Sequence, residues 1–324
     1  MIISRTPMRV SFVGGGTDIP GFCNRERGSV ISTSIQKYVY IVVHPSFDKK
    51  NHIAYSKVEK TDHADLIENT RVREAMKMAG ITKGVEIHSI AEVPSGTGLG
   101  GSSAFTVGLL NALYAYQGKH VSQERLAREA CEIEINILKE PIGRQDQYAT
   151  AFGGLNKIDF IKEEVRIKPI ILRKDEKKQL QNNLMMFHLG GQRLASEILN
   201  KQNKNLENDN IFNLHIQMRD LADEMETHLA NANISFFGEL LHKNWMLKKQ
   251  LAIGISNSEV DKYYELAKNA GALGGKVLGA GGRGFLLFYV NPEKQNAVRN
   301  ALSELEFIDF KFDDTGSKII YVND

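Results

Sequence analysis

Residues 94–104 read Pro94-Ser95-Gly96-Thr97-Gly98-Leu99-Gly100-Gly101-Ser102-Ser103-Ala104, with four glycines and four hydroxyl side chains in eleven positions. An apolar run, 105–116, follows at once. Glycines let a backbone curl around a ligand with its N–H groups turned inward. A helix that starts where such a loop ends adds unpaired N–H donors and the positive end of its dipole. The chemistry that suits this combination is the binding of a phosphate.

Two carboxylates lie downstream. In a helix predicted over 123–139, Ala127, Ala130, Cys131, Glu134 and Leu138 fall on one face, with Glu134 at its centre. A carboxylate on an apolar stripe needs a cation or hydrogen-bond donors to offset its desolvation. An internal salt bridge would supply them. So would Mg²⁺, which uses one or two carboxylates together with substrate phosphates. Asp146 sits in Gly143-Arg144-Gln145-Asp146-Gln147-Tyr148, among glycine, amides and an arginine. That setting suits a carboxylate in a cleft that accepts a proton or orients a hydroxyl, and equally a helix cap.

Two more glycine loops occur, Val13-Gly14-Gly15-Gly16-Thr17-Asp18 and Gly279-Ala280-Gly281-Gly282-Arg283-Gly284. One such loop alone is usually a turn, but three, two of them at strand ends, are hard to explain that way. The second and third formally contain G-x-G-x-x-G, whose dinucleotide-binding form requires strand, loop, helix and a later acidic residue. The third loop runs into a strand, and the second leads into two successive helices rather than a βαβ unit. G-x-x-x-x-G-K-[ST] is absent, which excludes a P-loop NTPase.

The elements around these loops are strands and helices in both halves. Strands are predicted over 8–13, 30–35, 38–44, 85–93, 184–189, 277–279 and 285–290, with a hairpin over 152–160 and 165–172. Helices are predicted over 103–117, 123–139, 191–203, 210–230, 235–250, 258–270 and 292–304, and two short strands finish the chain. The charged run 173–178 reads as a domain boundary or a solvated loop, and the former divides the chain into 1–176 and 177–324. The fold class is α+β in two layered units.

Composition sets the outer bounds. The chain has 324 residues, 42% of them hydrophobic and 25% charged, with a formal net charge of +2. This balance gives no reason to expect nucleic acid or an anionic membrane. Two cysteines without a CxxC pattern fit a reducing compartment. No signal-peptide core and no run near ~18–20 apolar residues occurs, so a cytoplasmic location is expected.

These pieces, in this order, resemble the GHMP kinase superfamily over essentially the whole chain. Its first motif is similar to Pro7-Met8-Arg9-Val10-Ser11-Phe12-Val13-Gly14-Gly15-Gly16-Thr17-Asp18. Its ATP-binding signature is similar to residues 94–104, with Gly101 as an extra glycine. Its third motif is similar to residues 276–285. The resemblance implies a two-domain fold, the first domain like ribosomal protein S5 domain 2 and the second ferredoxin-like. It also implies ATP and Mg²⁺ as cofactors. Pro94, Gly96, Gly98, Leu99, Gly100, Gly101, Ser102 and Ser103 would wrap the ATP phosphates. Ser103 or Ser102 would join Glu134 as a Mg²⁺ ligand. Asp146 would be the base for the acceptor hydroxyl and Arg9 the cation beside it. Asp18, Gly15, Gly16 and Gly281 would face the substrate.

The strings VGGGTDIP, RQDQYATAFGG and KVLGAGGRGF are most similar to a bacterial sugar-1-kinase subgroup that acts on heptose phosphates. That implies transfer from ATP to an anomeric hydroxyl of a small sugar phosphate, with a homodimer compatible. Another small-molecule kinase of the superfamily, such as a fucokinase, or a non-catalytic ATP-binding regulator on this fold are the alternatives. Galactokinases carry Glu-His where this chain has Gly15-Gly16, so space for a bulkier sugar is expected there. A phosphorylated acceptor needs a second anion site. Arg193, after Gly190-Gly191-Gln192, is its candidate, with Arg27 and Arg144 behind it.

Overall fold

The computed structural model describes residues 1–162, 164–191 and 195–323. The strands are β1 (Ile2–Val13), β2 (Gly28–Pro45), β3 (Asn51–Ala54), β4 (Val58–Thr61), β5 (Val85–Ala91), β6 (Leu155–Ile161), β7 (Glu164–Pro169), β8 (Leu184–Gly190), β9 (Ala272–Val277), β10 (Gly284–Val290), β11 (Glu306–Ile308), β12 (Phe312–Asp313) and β13 (Lys318–Val322). They form two sheets. The larger runs β13-β1-β2-β5-β3-β4, with β6 and β12 also paired to β2 and β7 to β6; the smaller runs β11-β8-β10-β9.

β2 organises the larger sheet. Its β-branched run carries on through Gln36 and Lys37, so the two strands predicted over 30–35 and 38–44 are one strand of 18 residues. Residues 28–33 pair with β6 and 39–45 with β5, while β1 pairs with positions from Ile31 to Val43. The β1–β2 register shifts between Pro7 and Met8, where proline has no N–H to give the ladder.

The α-helices are α1 (Pro20–Cys23), α2 (Thr70–Ala79), α3 (Gly101–Tyr116), α4 (Gln123–Cys131), α5 (Gln145–Phe152), α6 (Lys174–Asn182), α7 (Ala195–Asn205), α8 (Asp209–Ala230), α9 (Phe237–Lys248), α10 (Ser258–Asn269) and α11 (Gln295–Ala301). The helix predicted over 123–139 is α-helical only to Cys131, then continues as a π-helix over Glu132–Ile137. The charged run at 173–178 is not a loop. It opens α6, where the Arg173 N–H donates to Glu176 Oε2 at 2.9 Å. The chain end also crosses back, with β12 on β2 and β13 on β1.

The C-terminal half is tied to β1 through α9 and β9. The Phe12 and Phe237 rings meet edge-on at 4.9 Å. Fully buried Lys276 of β9 donates from Nζ to the carbonyls of Ser11 (2.7 Å) and Phe12 (3.1 Å). These bonds fix the C-terminal sheet against the strand that carries Arg9 and the first glycine loop. No described helix is long and apolar enough to cross a membrane.

Candidate active site

The three glycine loops meet. Gly98 has φ +91°, and a Cβ there would come within 2.4 Å of the Leu278 carbonyl oxygen. Reciprocally, a Cβ on Gly279 would lie 2.5 Å from Gly98 Cα. The second and third loops therefore touch backbone to backbone, which only glycine permits. The first loop is held from the other side, its Gly14 N–H donating to Asn244 Oδ1 of α9 at 2.9 Å.

Between the loops lies a cavity of about 540 Å³, lined from β1 by Arg9, from the first loop by Gly15, Gly16 and Asp18, and from α5 by Asp146. Gly96, Gly98, Gly100, Gly101, Ser102 and Ser103 line its nucleotide-loop side, with Gly281 opposite. Of the residues predicted for that loop, Pro94 and Leu99 do not line it. The Pro94 carbonyl accepts from Thr97 Oγ1 (2.9 Å), and the Leu99 side chain is buried in the core.

α3 opens on this cavity. The first N–H to find a partner in its own turn is that of Ala104, on the Gly100 carbonyl. The N–H groups of Gly101, Ser102 and Ser103 are thus the orphan donors of a 16-residue helix. That is an anion seat with the positive dipole end behind it.

Arg9 and Asp146 form a bidentate pair at one corner of the cavity. Arg9 Nε reaches Asp146 Oδ1 at 2.8 Å and Nη2 reaches Oδ2 at 2.7 Å. Arg9 Nη1 donates to the Gly98 carbonyl at 2.6 Å, so one guanidinium spans the candidate base and the nucleotide loop. Asp146 is not a helix cap. Asp18 has that part, with Oδ2 accepting the Gln145 N–H (3.0 Å) and Oδ1 the Gly16 N–H (3.1 Å). Burial, chiefly, raises Asp18 above the ordinary carboxylate range, with the neighbouring Asp146 charge adding to it.

Glu134 is fully buried behind Ser103. It accepts from Ser103 Oγ (2.8 Å), Thr106 Oγ1 (2.6 Å), Gln147 Nε2 (2.5 Å) and Arg71 Nε (3.3 Å). The internal ion pair weighed for this carboxylate is therefore present, through Arg71. Of the two serines, Ser103 is the one that contacts Glu134. The 2.8 Å between Ser103 Oγ and Glu134 Oε2 is also close to the spacing of adjacent ligands on an octahedral ion with bonds of about 2.0–2.1 Å. Serine and carboxylate oxygens are the donor type Mg²⁺ takes, but Glu134 already accepts from four donors and does not line the cavity, so Ser103 is the member of the pair that faces it.

Among the cavity residues beyond the motifs are Arg71, Lys248 and Gln202. Arg71, from α2, also pairs with Glu140 at 2.6 Å. Lys248 ends α9 and donates from Nζ to the Gly279 carbonyl at 2.9 Å. Burial pushes its ammonium down to about 8, with Asp18 and Asp146 opposing and Arg9 adding to the shift. Gln202, from α7, reaches over the first glycine loop. The same test that singled out Glu134 would have found Lys248, because it continues the buried stripe Leu241, Asn244, Trp245.

The space expected above Gly15 and Gly16 is not vacant. A Cβ on Gly16 would lie 2.5 Å from Gln202 Nε2, and one on Gly15 3.0 Å from Ser11 Oγ. The amide of Gln202 and the side chains of Ser11, Gln145 and Lys248 crowd the loop from above, so the glycines admit protein rather than a larger sugar. Arg27 and Arg144 lie off the cavity. Arg27 pairs with Asp159 and Asp223, and Arg144 donates to Cys23 Sγ. Arg193 lies outside the described residues.

Comparison with known proteins decides the family. The GHMP kinases N-terminal domain matches residues 66–154 and the GHMP kinases C-terminal domain residues 225–306, together more than half of the chain. The chain is a GHMP kinase. It is 29% identical to D-glycero-alpha-D-manno-heptose 7-phosphate kinase of Campylobacter jejuni, over 98% of each chain. It is 26% identical to the bifunctional fucokinase/GDP-fucose pyrophosphorylase of Arabidopsis thaliana, over 94% of this chain and 31% of that protein. The fold matches the crystal structure of a D-glycero-D-manno-heptose 1-phosphate kinase from Bacteroides thetaiotaomicron, with TM-score 0.82 at 22% identity over the whole of both chains. As a GHMP kinase it is a phosphotransferase with an alcohol group as acceptor.

Proposed function

We propose that this GHMP kinase transfers the γ-phosphoryl group of ATP to the anomeric hydroxyl of D-glycero-D-manno-heptose 7-phosphate. The product is the 1,7-bisphosphate, a precursor of nucleotide-activated heptose. The observation that carries the reading is the Arg9–Asp146 pair, tied by Arg9 to the Gly98 carbonyl at the nucleotide loop and neighboured by Asp18 on the acceptor side. The heptose assignment draws on the similarity to the Campylobacter jejuni enzyme over nearly the full length of both chains.

In this reading the N–H groups of residues 101–103 seat the ATP phosphates. Asp146 orients the anomeric hydroxyl and takes its proton as the oxygen attacks phosphorus. Arg9 holds that carboxylate and faces the charge developing on the transferring group, so positioning and charge stabilisation supply most of the acceleration. Asp18 accepts from an acceptor hydroxyl. Ser103 and Glu134 would hold Mg²⁺, which when bound offsets the charge on the β- and γ-phosphates. The cation placed for the acceptor's own phosphate is Arg283 of the third loop, exposed at the cavity edge, and Arg193 is the candidate that sequence alone supplies.

The test is ADP release with a panel of sugars, sugar phosphates and mevalonate. Turnover with the heptose 7-phosphate, well above that with fucose or mevalonate, is the expected outcome, and preference for an unphosphorylated sugar would overturn the assignment. Arg193→Ala and Arg283→Ala should each raise KM for the phosphorylated acceptor. An unchanged KM removes that residue from the phosphate site.

A further inference from the structure

The first glycine loop lacks side chains at Gly15 and Gly16, yet it is not bare. α7, α8 and α9 of the C-terminal half place polar groups over it. Gln202 is 1% exposed and lines the cavity. Its Nε2 lies 2.5 Å from where a Gly16 Cβ would be, and Gly16 has φ +111°, so a side chain at 16 and the glutamine exclude one another.

The orientation of that amide is fixed from behind. His215 Nδ1 lies 2.9 Å from the Ile211 carbonyl, and a carbonyl only accepts, so Nδ1 carries the proton. Nε2 of the neutral ring is then a bare acceptor, 3.1 Å from Gln202 Nε2. The amide nitrogen must face His215, and the carboxamide oxygen is the end turned from it. The ring is fully buried and stacks on Phe22 at 5.5 Å. Burial lowers its pKa to about 4, so the neutral tautomer holds across the physiological range. Over Gly15, the Lys248 ammonium has three N–H groups, one of them on the Gly279 carbonyl.

We propose that Gln202, oriented by His215, forms with Lys248 a subsite for the acceptor hydroxyls next to the reacting one, in place of the side chains that Gly15 and Gly16 lack. The chemical class it selects is a polyhydroxylated acceptor that offers a hydroxyl donor to the Gln202 oxygen and an oxygen to the Lys248 ammonium. Mevalonate-like acids, with no ring of neighbouring hydroxyls, would leave the amide unmatched. His215 is a positioning residue, because it acts only through Gln202. The inference rests on the sugar-kinase reading above.

The experiment is steady-state kinetics of Gln202→Leu and His215→Leu, with the acceptor and ATP varied separately. Gln202→Leu keeps the bulk and loses the hydrogen bonds. It should raise KM for the sugar acceptor about 10-fold or more, equivalent to about 1.4 kcal/mol, and leave KM for ATP within twofold. His215→Leu should shift the acceptor KM in the same direction. The penalty should shrink for deoxy acceptors that lack the recognised hydroxyl, which a merely structural role would not produce.

An acceptor KM within twofold of the parent, or equal losses for both substrates, overturns the subsite. If either variant fails to fold, the parent protein supplies a second measurement, since the His215 ring resonances in NMR should move on adding acceptor and stay unchanged with ATP. The reverse pattern overturns the proposal. Failure of the sugar-kinase reading is seen separately, as a parent enzyme that turns over no sugar or sugar phosphate in the panel.

Discussion

Arg9 holds Asp146 through two parallel hydrogen bonds, of 2.8 and 2.7 Å, and turns its third nitrogen to the Gly98 carbonyl at 2.6 Å. A planar fork of this kind sets both the position and the direction of the carboxylate. Replacing Asp146 by Asn keeps the size and removes the basic oxygen. Turnover should fall by about 10²–10⁴-fold, while ATP affinity, measured by calorimetry, stays within a few-fold. Full activity in Asp146→Asn would remove it from the role of base.

The same fork gives a prediction for Arg9. Lysine keeps the charge, but its compact ammonium cannot make three directed bonds to two partners. Arg9→Lys should therefore lower kcat by about 10-fold or more and also weaken ATP binding, because the Gly98 carbonyl loses its donor. An effect on kcat alone would mean that the bond to Gly98 carries no part of nucleotide binding.

Glu134 accepts from four donors and offers none. In Glu134→Gln two of those donors must face the amide nitrogen, since each carboxylate oxygen accepts two of the four. The expected cost is about 1–3 kcal/mol of stability, read from denaturant unfolding. If Glu134 also holds Mg²⁺, the Mg²⁺ concentration for half-maximal activity should rise several-fold. An unchanged Mg²⁺ midpoint alongside the stability loss would leave Glu134 a support for Ser103 only.

The parts of this site that were legible in sequence are those in which the backbone itself binds, or in which a charge interrupts a strict apolar period. Three glycine loops announced themselves by composition, and Glu134 by its place on a helical stripe. The π-turn that follows Cys131 was not legible, since over six positions hydrophobic period alone does not distinguish i→i+5 hydrogen bonding from the i→i+4 bonding of an α-helix. Gln202 and His215 were missed for another reason. Each belongs to a helix some 200 residues from the first glycine loop, and their pairing with it exists only in the folded chain. His215 had a local signal, a polar residue on the buried stripe Phe212, Met218, Leu221 of α8. Gln202 had none, which is why Gly15 and Gly16 read as empty space.

Loop contact makes Gly98 testable against a control. An alanine Cβ at 98 would meet the Leu278 oxygen at 2.4 Å with φ at +91°, whereas Gly118 has φ +71° and nothing within 4 Å of an added Cβ. Gly118→Ala should cost only the left-handed backbone penalty, about 1–2 kcal/mol. Gly98→Ala should cost clearly more and raise KM for ATP. Equal losses at the two positions would show that the second and third loops are not in contact in solution.

Lys248 links stability and activity with opposite signs. Its ammonium is pushed down to about 8 by burial, from an ordinary 10.5, in the company of Arg9, Asp18, Asp146 and Lys276. Below pH 8 folded and unfolded chains both carry the proton, and the folded state bears the full cost of the buried charge. Between pH 8 and 10.5 the folded state loses that proton first, so the cost is relieved and this group raises stability with pH, by on the order of 3 kcal/mol if it acted alone. Activity that needs the charged form should run the other way, with kcat/KM for the acceptor falling as pH passes about 8. Lys248→Met should lower kcat/KM at pH 7 and flatten that descending limb, and the same variant should lose the rise in stability above pH 8. A descending limb that persists in Lys248→Met would assign it to another group and leave Lys248 as a tether for the Gly279 loop.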